Sequence, residues 1–255
     1  MLAIKKGRLV SWVLLGLGLV ALAYSVICSS SVLAFIGLGL TFWSLLSLYI
    51  TSEKYVKQAL LDSTITPSLA NTNQMLAELE YQGNSIYLPP EYLKDRKTVK
   101  VYISKDKKTN LPQPEEIQQQ EDKIFLKNPE AVLINPPGES LSRLFEETLR
   151  TSFTTANLEY LQRNLPKLLT EDLEIAEHLE MQMRGTSIHV KIANSIFKDI
   201  CGNIQEPAHT RNPIGCPLCS AIACAIAKAS SSPVTIERSQ VSKDGKVIDV
   251  HYRLI

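Results

Sequence analysis

Polar and apolar positions divide this chain into two parts of different character. From Leu9 to Ile50 nearly every residue is apolar, and no charged side chain lies between Arg8 and Glu53. At about 1.5 Å of rise per residue, such a run suffices for two bilayer crossings of about 20 residues each. It breaks at Cys28-Ser29-Ser30-Ser31, which predicts one helix over Leu9–Ile27 and a second over Val32–Ile50. So short a connection makes the two helices antiparallel neighbours in a hairpin.

Beyond the hairpin, periodicity carries the signal. Val56, Leu60, Leu61, Leu69, Met75, Leu76 and Leu79 recur at three- and four-residue spacings, predicting a helical stalk over residues 51–82, split or kinked at Pro67. Ser85–Leu88, closed by Pro89-Pro90, and the alternating Thr98–Ile103 read as strands. Lys105–Lys123, with Leu111-Pro112-Gln113-Pro114 and its glutamines, reads as a flexible loop. Ala131–Ile134 is a further strand, ending at Asn135-Pro136-Pro137-Gly138. A helix opens at Glu139-Ser140 with Leu141, Leu144, Phe145 and Leu149 on one face. A second helical region is expected over Asn157–Met183, interrupted near Pro166, followed by a strand at Ile188–Ile192. After a polar loop comes an alanine-rich helix, Pro217–Ala229. Pro233–Glu237 and Val247–Leu254 then form a hairpin around Lys243-Asp244-Gly245, whose Asp-Gly pair is a strong turn signal. The expected fold is a two-helix transmembrane hairpin (1–50), a stalk (51–82) and a cytoplasmic α/β (α+β) domain with a mostly antiparallel sheet (83–255).

Charge gives the hairpin a direction. Lys5, Lys6 and Arg8 precede it, Lys54 and Lys57 follow it, and its serine turn has no charge, so the positive-inside rule puts both termini in the cytoplasm and the chain in the cell membrane. Trp12 and Trp43 then lie towards the cytoplasmic face, as interface anchors do. A cleaved signal peptide shares the basic flank, but a second full span follows at once and an uncleaved hairpin explains both. Neither span has an ionisable residue, which makes the hairpin an anchor and not a transport path. Each carries the same tetrapeptide, Gly16-Leu17-Gly18-Leu19 and Gly37-Leu38-Gly39-Leu40. Small residues of this kind let helices approach closely in lipid, although glycine is also simply common in spans. The chain holds 27 basic and 26 acidic residues. Without Lys5, Lys6 and Arg8, 24 basic face 26 acidic ones, a net of about −2 that offers no nucleic-acid partner.

Candidate chemistry centres on cysteine. Besides Cys28 in the turn there are Cys201, Cys216, Cys219 and Cys224, which in a reducing cytoplasm are expected as thiols or ligands and not as a disulfide framework. Cys216 and Cys219, spaced C-x-x-C where a loop enters a helix, can chelate one ion, and Cys201 with His209 would complete a tetrahedral zinc site. The helix N-terminus would also lower the pKa of either thiol, favouring redox exchange. Against both stands the isolation of the C-x-x-C pair. Cys219 and Cys224 also lie among Ala221, Ile222, Ala223, Ala225 and Ile226, where cysteine serves as a small buried hydrophobe. Structural, metal and redox readings remain open.

Other constellations are poorer. Glu177-His178 lacks the second histidine of a zincin motif. His189 and His251 sit in strand patterns beside Ser187 and Asp249 and could meet across a sheet, though an exposed strand face is the usual place for histidine. No glycine-rich phosphate loop follows a strand, so nucleotide use is not indicated.

The last third has an order of its own: an alternating strand with Asn194-Ser195, a loop to Cys216, the alanine-rich helix, Pro233-Val234-Thr235-Ile236-Glu237 and a hairpin. Over Ile188–Leu254 it resembles the end of the 4-vinyl reductase-type domain, an α/β small-molecule-binding module related to trafficking-complex subunits. In that family a cysteine opens the helix, small residues follow at five and nine positions, and a strand ending in glutamate comes next. Cys216, Ala221, Ala225 and Glu237 occupy those places. The family's cysteines in the final hairpin have no counterpart here, so no role resting on them carries over. With its apolar hairpin, Tyr87-Leu88-Pro89-Pro90 and Ile134-Asn135-Pro136-Pro137-Gly138, the whole chain also resembles small archaeal membrane proteins of unassigned function.

The function expected is a non-enzymatic, membrane-anchored domain binding a small ligand or a protein partner, with Cys216, Cys219 and Cys224 as ligand-contacting residues. The alternative is a thiol- or zinc-dependent redox or enzymatic domain using Cys201, Cys216 and Cys219, with His209 as a fourth ligand. A third reading makes it an assembly subunit.

Overall fold

The uncharged run forms two helices, α1 (Leu2–Cys28) and α2 (Ser31–Ile50), joined through Ser29 and Ser30. The computed structural model describes residues 2–50, 58–95, 97–106, 111–203 and 214–255, which fall into two units, Met1–Lys57 and Gln58–Ile255. In the first unit α1 and α2 pack antiparallel along small residues. Ser11, Gly18 and Ser25 of α1 and Gly37 and Ser44 of α2 are buried, a seven-residue spacing that keeps one seam facing the partner helix. A Cβ on Gly18 would lie 2.8 Å from the Thr41 methyl, and one on Gly37 would lie 3.0 Å from the Gly18 carbonyl. Gly16 and Gly39 face open space. Ser11 and Ser47 share a 2.8 Å hydrogen bond across the seam. The large side chains point the other way: Trp12, Val20, Val26, Phe35 and Trp43 are all exposed.

The second unit is built on one eight-stranded sheet in the order β3-β4-β2-β1-β7-β8-β6-β5, every pairing antiparallel. The strands are β1 (Ser85–Leu88), β2 (Lys100–Ser104), β3 (Phe125–Lys127), β4 (Glu130–Ile134), β5 (His178–Arg184), β6 (Ser187–Ala193), β7 (Val234–Val241) and β8 (Val247–Leu254). Its helices are α3 (Gln58–Glu78), α4 (Pro114–Gln118), α5 (Glu139–Leu149), α6 (Leu158–Lys167), α7 (Lys198–Asn203) and α8 (Pro217–Ser230). A mixed α/β fold with a largely antiparallel sheet was therefore legible in the period of the sequence.

The core lies mainly on one face of this sheet. Val101 and Ile103 of β2, Val190 and Ile192 of β6 and Val250 and Tyr252 of β8 meet Phe145 of α5, Leu161 and Leu165 of α6, and α8. Leu69 and Leu76 of α3 join the same core. A smaller cluster covers the opposite face of β1, β2 and β4, where Tyr102, Leu88 and Leu133 pack under Leu93, Ile117 and Leu126. Consequently Val101, Tyr102 and Ile103 are all buried despite their strict alternation, because this half of the sheet is covered on both sides. Among the described residues of this unit, the far half, β7, β8, β6 and β5, is packed on one side, and its other face carries His189, Lys191, Asp249, His251 and Arg253.

Several elements differ from expectation for physical reasons. Pro67 lies inside an unbroken α3, held by the packing of Leu69 and Leu76 that follow it. Residues 51–57 of the expected stalk lie outside the described residues. The expected flexible loop contains α4, which has a Gln113–Glu116 capping box and buries Ile117. The expected Asn157–Met183 helix runs only to Asp172, and its last six residues, His178–Met183, belong instead to β5. Leu179 and Met181 alternate with exposed polar residues, and pairing along β6 overrides the helix propensity of Leu, Glu, Met and Gln. The polar loop after β6 holds the short helix α7.

α8 is buried along Pro217–Lys228, between β1, β7 and β8 beneath it and α5 and α6 above. A helix covered all round must be apolar all round, and one crowded on every side must be small, which accounts for its alanines. The Pro136-Pro137-Gly138 turn sits on its backbone. Gly138 N–H donates to Ser220 Oγ at 3.1 Å, and a Cβ at Gly138 would collide with Ala221 N and Pro217 O.

Candidate functional site

Three sulfurs converge where α8 begins. Cys216 is the N-cap of α8, with Pro217 in the first turn, and its sulfur accepts from the Cys219 N–H at 3.5 Å. Cys201, on α7, is joined to Cys216 by a disulfide across a Cα–Cα separation of 5.2 Å. Cys219 Sγ lies 3.3 Å from Cys216 Sγ. The pairing departs from the expectation of free thiols. α7 places Cys201 against the N-cap position, and all three sulfurs belong to buried residues.

Two tyrosines brace this corner. Tyr87 Oη, from β1, donates to the Ile214 carbonyl at 2.6 Å, and Tyr252 Oη, from β8, donates to the Cys219 carbonyl at 3.0 Å. Both side chains are fully buried, and that burial holds their pKa well above the usual value. The sequence marks Tyr87 only as part of a Tyr-Leu-Pro-Pro strand end. What assigns it to this corner is the β1–β7 pairing, which is not readable from local pattern.

The environment of the two free thiols of the domain disfavours their thiolate forms. Burial pushes the Cys219 thiol up to about 12, outweighing the opposing hydrogen bonds from Ser239, its own backbone and Tyr252. Cys224, further along α8, is raised further, again by burial first. The expectation that the helix N-terminus would lower the Cys219 pKa is therefore corrected: loss of hydration outweighs the helix dipole. Of the proposed metal set, Cys201, Cys216 and Cys219 are brought together, and His209 lies outside the described residues. Cys224 is not part of this group. It stands within α8 towards Lys228, whose ammonium pairs with Glu146 of α5 at 2.7 Å.

A second constellation lies on the uncovered face. His189 of β6 and His251 of β8 are direct cross-strand partners, with rings stacked at 4.2 Å between centroids and 16° between planes. Asp249 Oδ1 sits 2.8 Å from His189 Nε2 and 3.2 Å from His251 Nε2. The two histidines were expected only as residues able to meet across a sheet. β6 and β8 are neighbours although β7 intervenes in sequence, so the register that unites them is a property of the whole sheet. Glu177-His178, read on a helix, instead lies at the start of β5.

A family model described as a domain of unknown function (DUF7982) matches residues 4–253. No curated protein and no solved structure matches the chain. The match takes in both apolar helices as well as the α/β unit, and the chain belongs to this family.

Proposed function

We propose that this DUF7982 protein is a membrane-anchored, non-enzymatic binding domain. α1 and α2 insert in the cell membrane with both termini cytoplasmic, and residues 83–255 meet a small ligand or a protein partner at the membrane surface. The observation that carries the anchor is the inverted burial of the hairpin. Its small polar and glycine residues are inside while its large apolar ones are outside, an arrangement that suits hydrocarbon and not water. Val10–Cys28 and Ser31–Tyr49, 19 residues each and with mean hydropathies of 2.2 and 1.9 over their 18-residue windows, have the length of a crossing.

Binding is preferred to catalysis because burial disfavours the thiolate of Cys219 and Cys224, whereas the described residues of this unit leave one polar face of four strands unpacked. The resemblance of Ile188–Leu254 to a small-molecule-binding module adds the ligand option. A disulfide within a reducing compartment is supported by burial, since exchange requires a thiolate to reach a sulfur. Reporters fused at Ser30 and at Ile255 test the arrangement: Ser30 external with Ile255 internal is expected, and both internal would refute two spans.

The convergence of Cys201, Cys216 and Cys219 favours one second reading, a thiol- or zinc-dependent centre. Metal analysis with thiol titration separates the two. Stoichiometric zinc that disappears in Cys216→Ser and Cys219→Ser would replace the structural reading of these cysteines. Thiols that react only after denaturation, without metal, would uphold it.

A further inference from the structure

We propose that His189, Asp249 and His251 form an open three-ligand site for a divalent transition-metal ion of the zinc class, on the uncovered face of the sheet. The inference is independent of the cysteines and of the membrane anchor. It begins with register. His189 and His251 face one another on adjacent antiparallel strands, and Asp249 precedes His251 by two residues, so all three side chains leave the same face. Both distal imidazole nitrogens converge on a single carboxylate oxygen, at 2.8 and 3.2 Å. An ion held tetrahedrally at about 2.0–2.1 Å from each ligand needs donor atoms about 3.3 Å apart. The spacing found is close to that, and all three donor atoms lie within 4.8 Å of one another. The stacked rings, 16° apart in plane, must turn for both nitrogens to face one ion, and their partial exposure leaves room for that turn.

The donor set selects the ion. Two imidazoles and one carboxylate suit zinc, cobalt, nickel or copper, whereas calcium and magnesium call for oxygen shells. Three protein ligands leave a fourth position, and here it opens to the sheet face on which no described helix of this unit packs, the pattern of a working site and not of a closed structural one. The support is rigid, since β6 and β8 are interior strands flanked by β5 and β7. Cations adjoin it: Lys191 is opposite Asp249 on β6, and Arg238 is opposite His251 on β7. They favour an anionic group, a carboxylate or a phosphate, at the fourth position. The three residues are partly exposed, at 28%, 35% and 44% of the side chain, so an ion can enter without unfolding.

The test uses the full chain in detergent micelles, stripped with a chelator and titrated with Co2+. One equivalent should bind, giving visible ligand-field bands without a sulfur-to-cobalt charge-transfer band. Binding should weaken by at least about 10-fold in His189→Ala, in His251→Ala and in Asp249→Asn. Circular dichroism confirms the fold of each variant, and His189→Gln replaces any alanine variant that unfolds. No saturable binding, a sulfur band from the bound ion, or undiminished affinity in the histidine variants would each overturn the proposal.

Discussion

Replacing Lys228 by methionine removes one half of the ion pair that ties α8 to α5. The Lys228 ammonium is 2.7 Å from Glu146 Oε2, with only 5% of the lysine side chain and 14% of the glutamate exposed. Glu146 Oε1 also accepts from the Phe153 N–H at 2.7 Å and from Ser152 Oγ at 3.2 Å. Methionine keeps the packing of the lysine stem, so the loss comes from the carboxylate left behind. Breaking a buried pair typically removes about 3–5 kcal/mol. The two remaining donors on Glu146 reduce this to about 2–3 kcal/mol for Lys228→Met. Glu146→Gln should lose a similar amount, because the ammonium then lacks its anion. The double variant, with neither charge, should lose only about 1–2 kcal/mol, giving a coupling of about 2 kcal/mol or more. Urea unfolding of the full chain in micelles, followed by the hydrogen exchange of α8 amides, measures all four corners of the cycle. Single losses under about 1 kcal/mol, or a double loss equal to the sum of the singles within about 0.5 kcal/mol, would refute the reasoning.

Three further outcomes follow from burial and close approach. Gly138→Ala should destabilise the domain by about 1–3 kcal/mol, since the new methyl meets the α8 backbone at Ala221 and Pro217; an unchanged urea midpoint would contradict it. Gly18→Ala should loosen the hairpin, because its Cβ would lie 2.8 Å from the Thr41 methyl, while Gly16→Ala should not; thermal denaturation in micelles compares the two. Alkali should destabilise the domain: the Cys219 thiol, at 9.0 unperturbed, is raised to about 12. Between those values the unfolded chain has released this proton and the folded one keeps it, so stability falls with rising pH by about 1.4 kcal/mol per unit per thiol. Cys224 acts in the same direction, and urea midpoints that do not decline from pH 8 to pH 10 would contradict the account.

Much of this fold is legible wherever one rule dominates. The hairpin reads from bulk hydropathy, β6 and β8 from period two, and the β7–β8 turn from Asp244-Gly245, where Gly245 has a φ of +69°. Legibility fails where tertiary pairing competes with propensity. His178–Arg184 is composed of good helix formers and becomes a strand because β6 offers it a complete ladder. The sulfur corner was legible as a group, since Cys201, Cys216 and Cys219 were read together, but the pairing of Cys201 with Cys216 depends on the placement of α7, which no local signal sets. The strand patterns of His189 and His251 let their meeting be foreseen as one possibility, but the register that makes them direct partners with Asp249 between them is set by the whole sheet.

The anchor is the central claim, and Cys28 offers its most direct test. It is the exposed cysteine at the end of α1, while Cys201, Cys216, Cys219 and Cys224 are buried in the domain. Intact cells treated with a membrane-impermeant maleimide should yield protein modified at Cys28 alone. Protein that stays unmodified until the cells are lysed, and then reacts at Cys28, would contradict a hairpin whose turn reaches the outer surface.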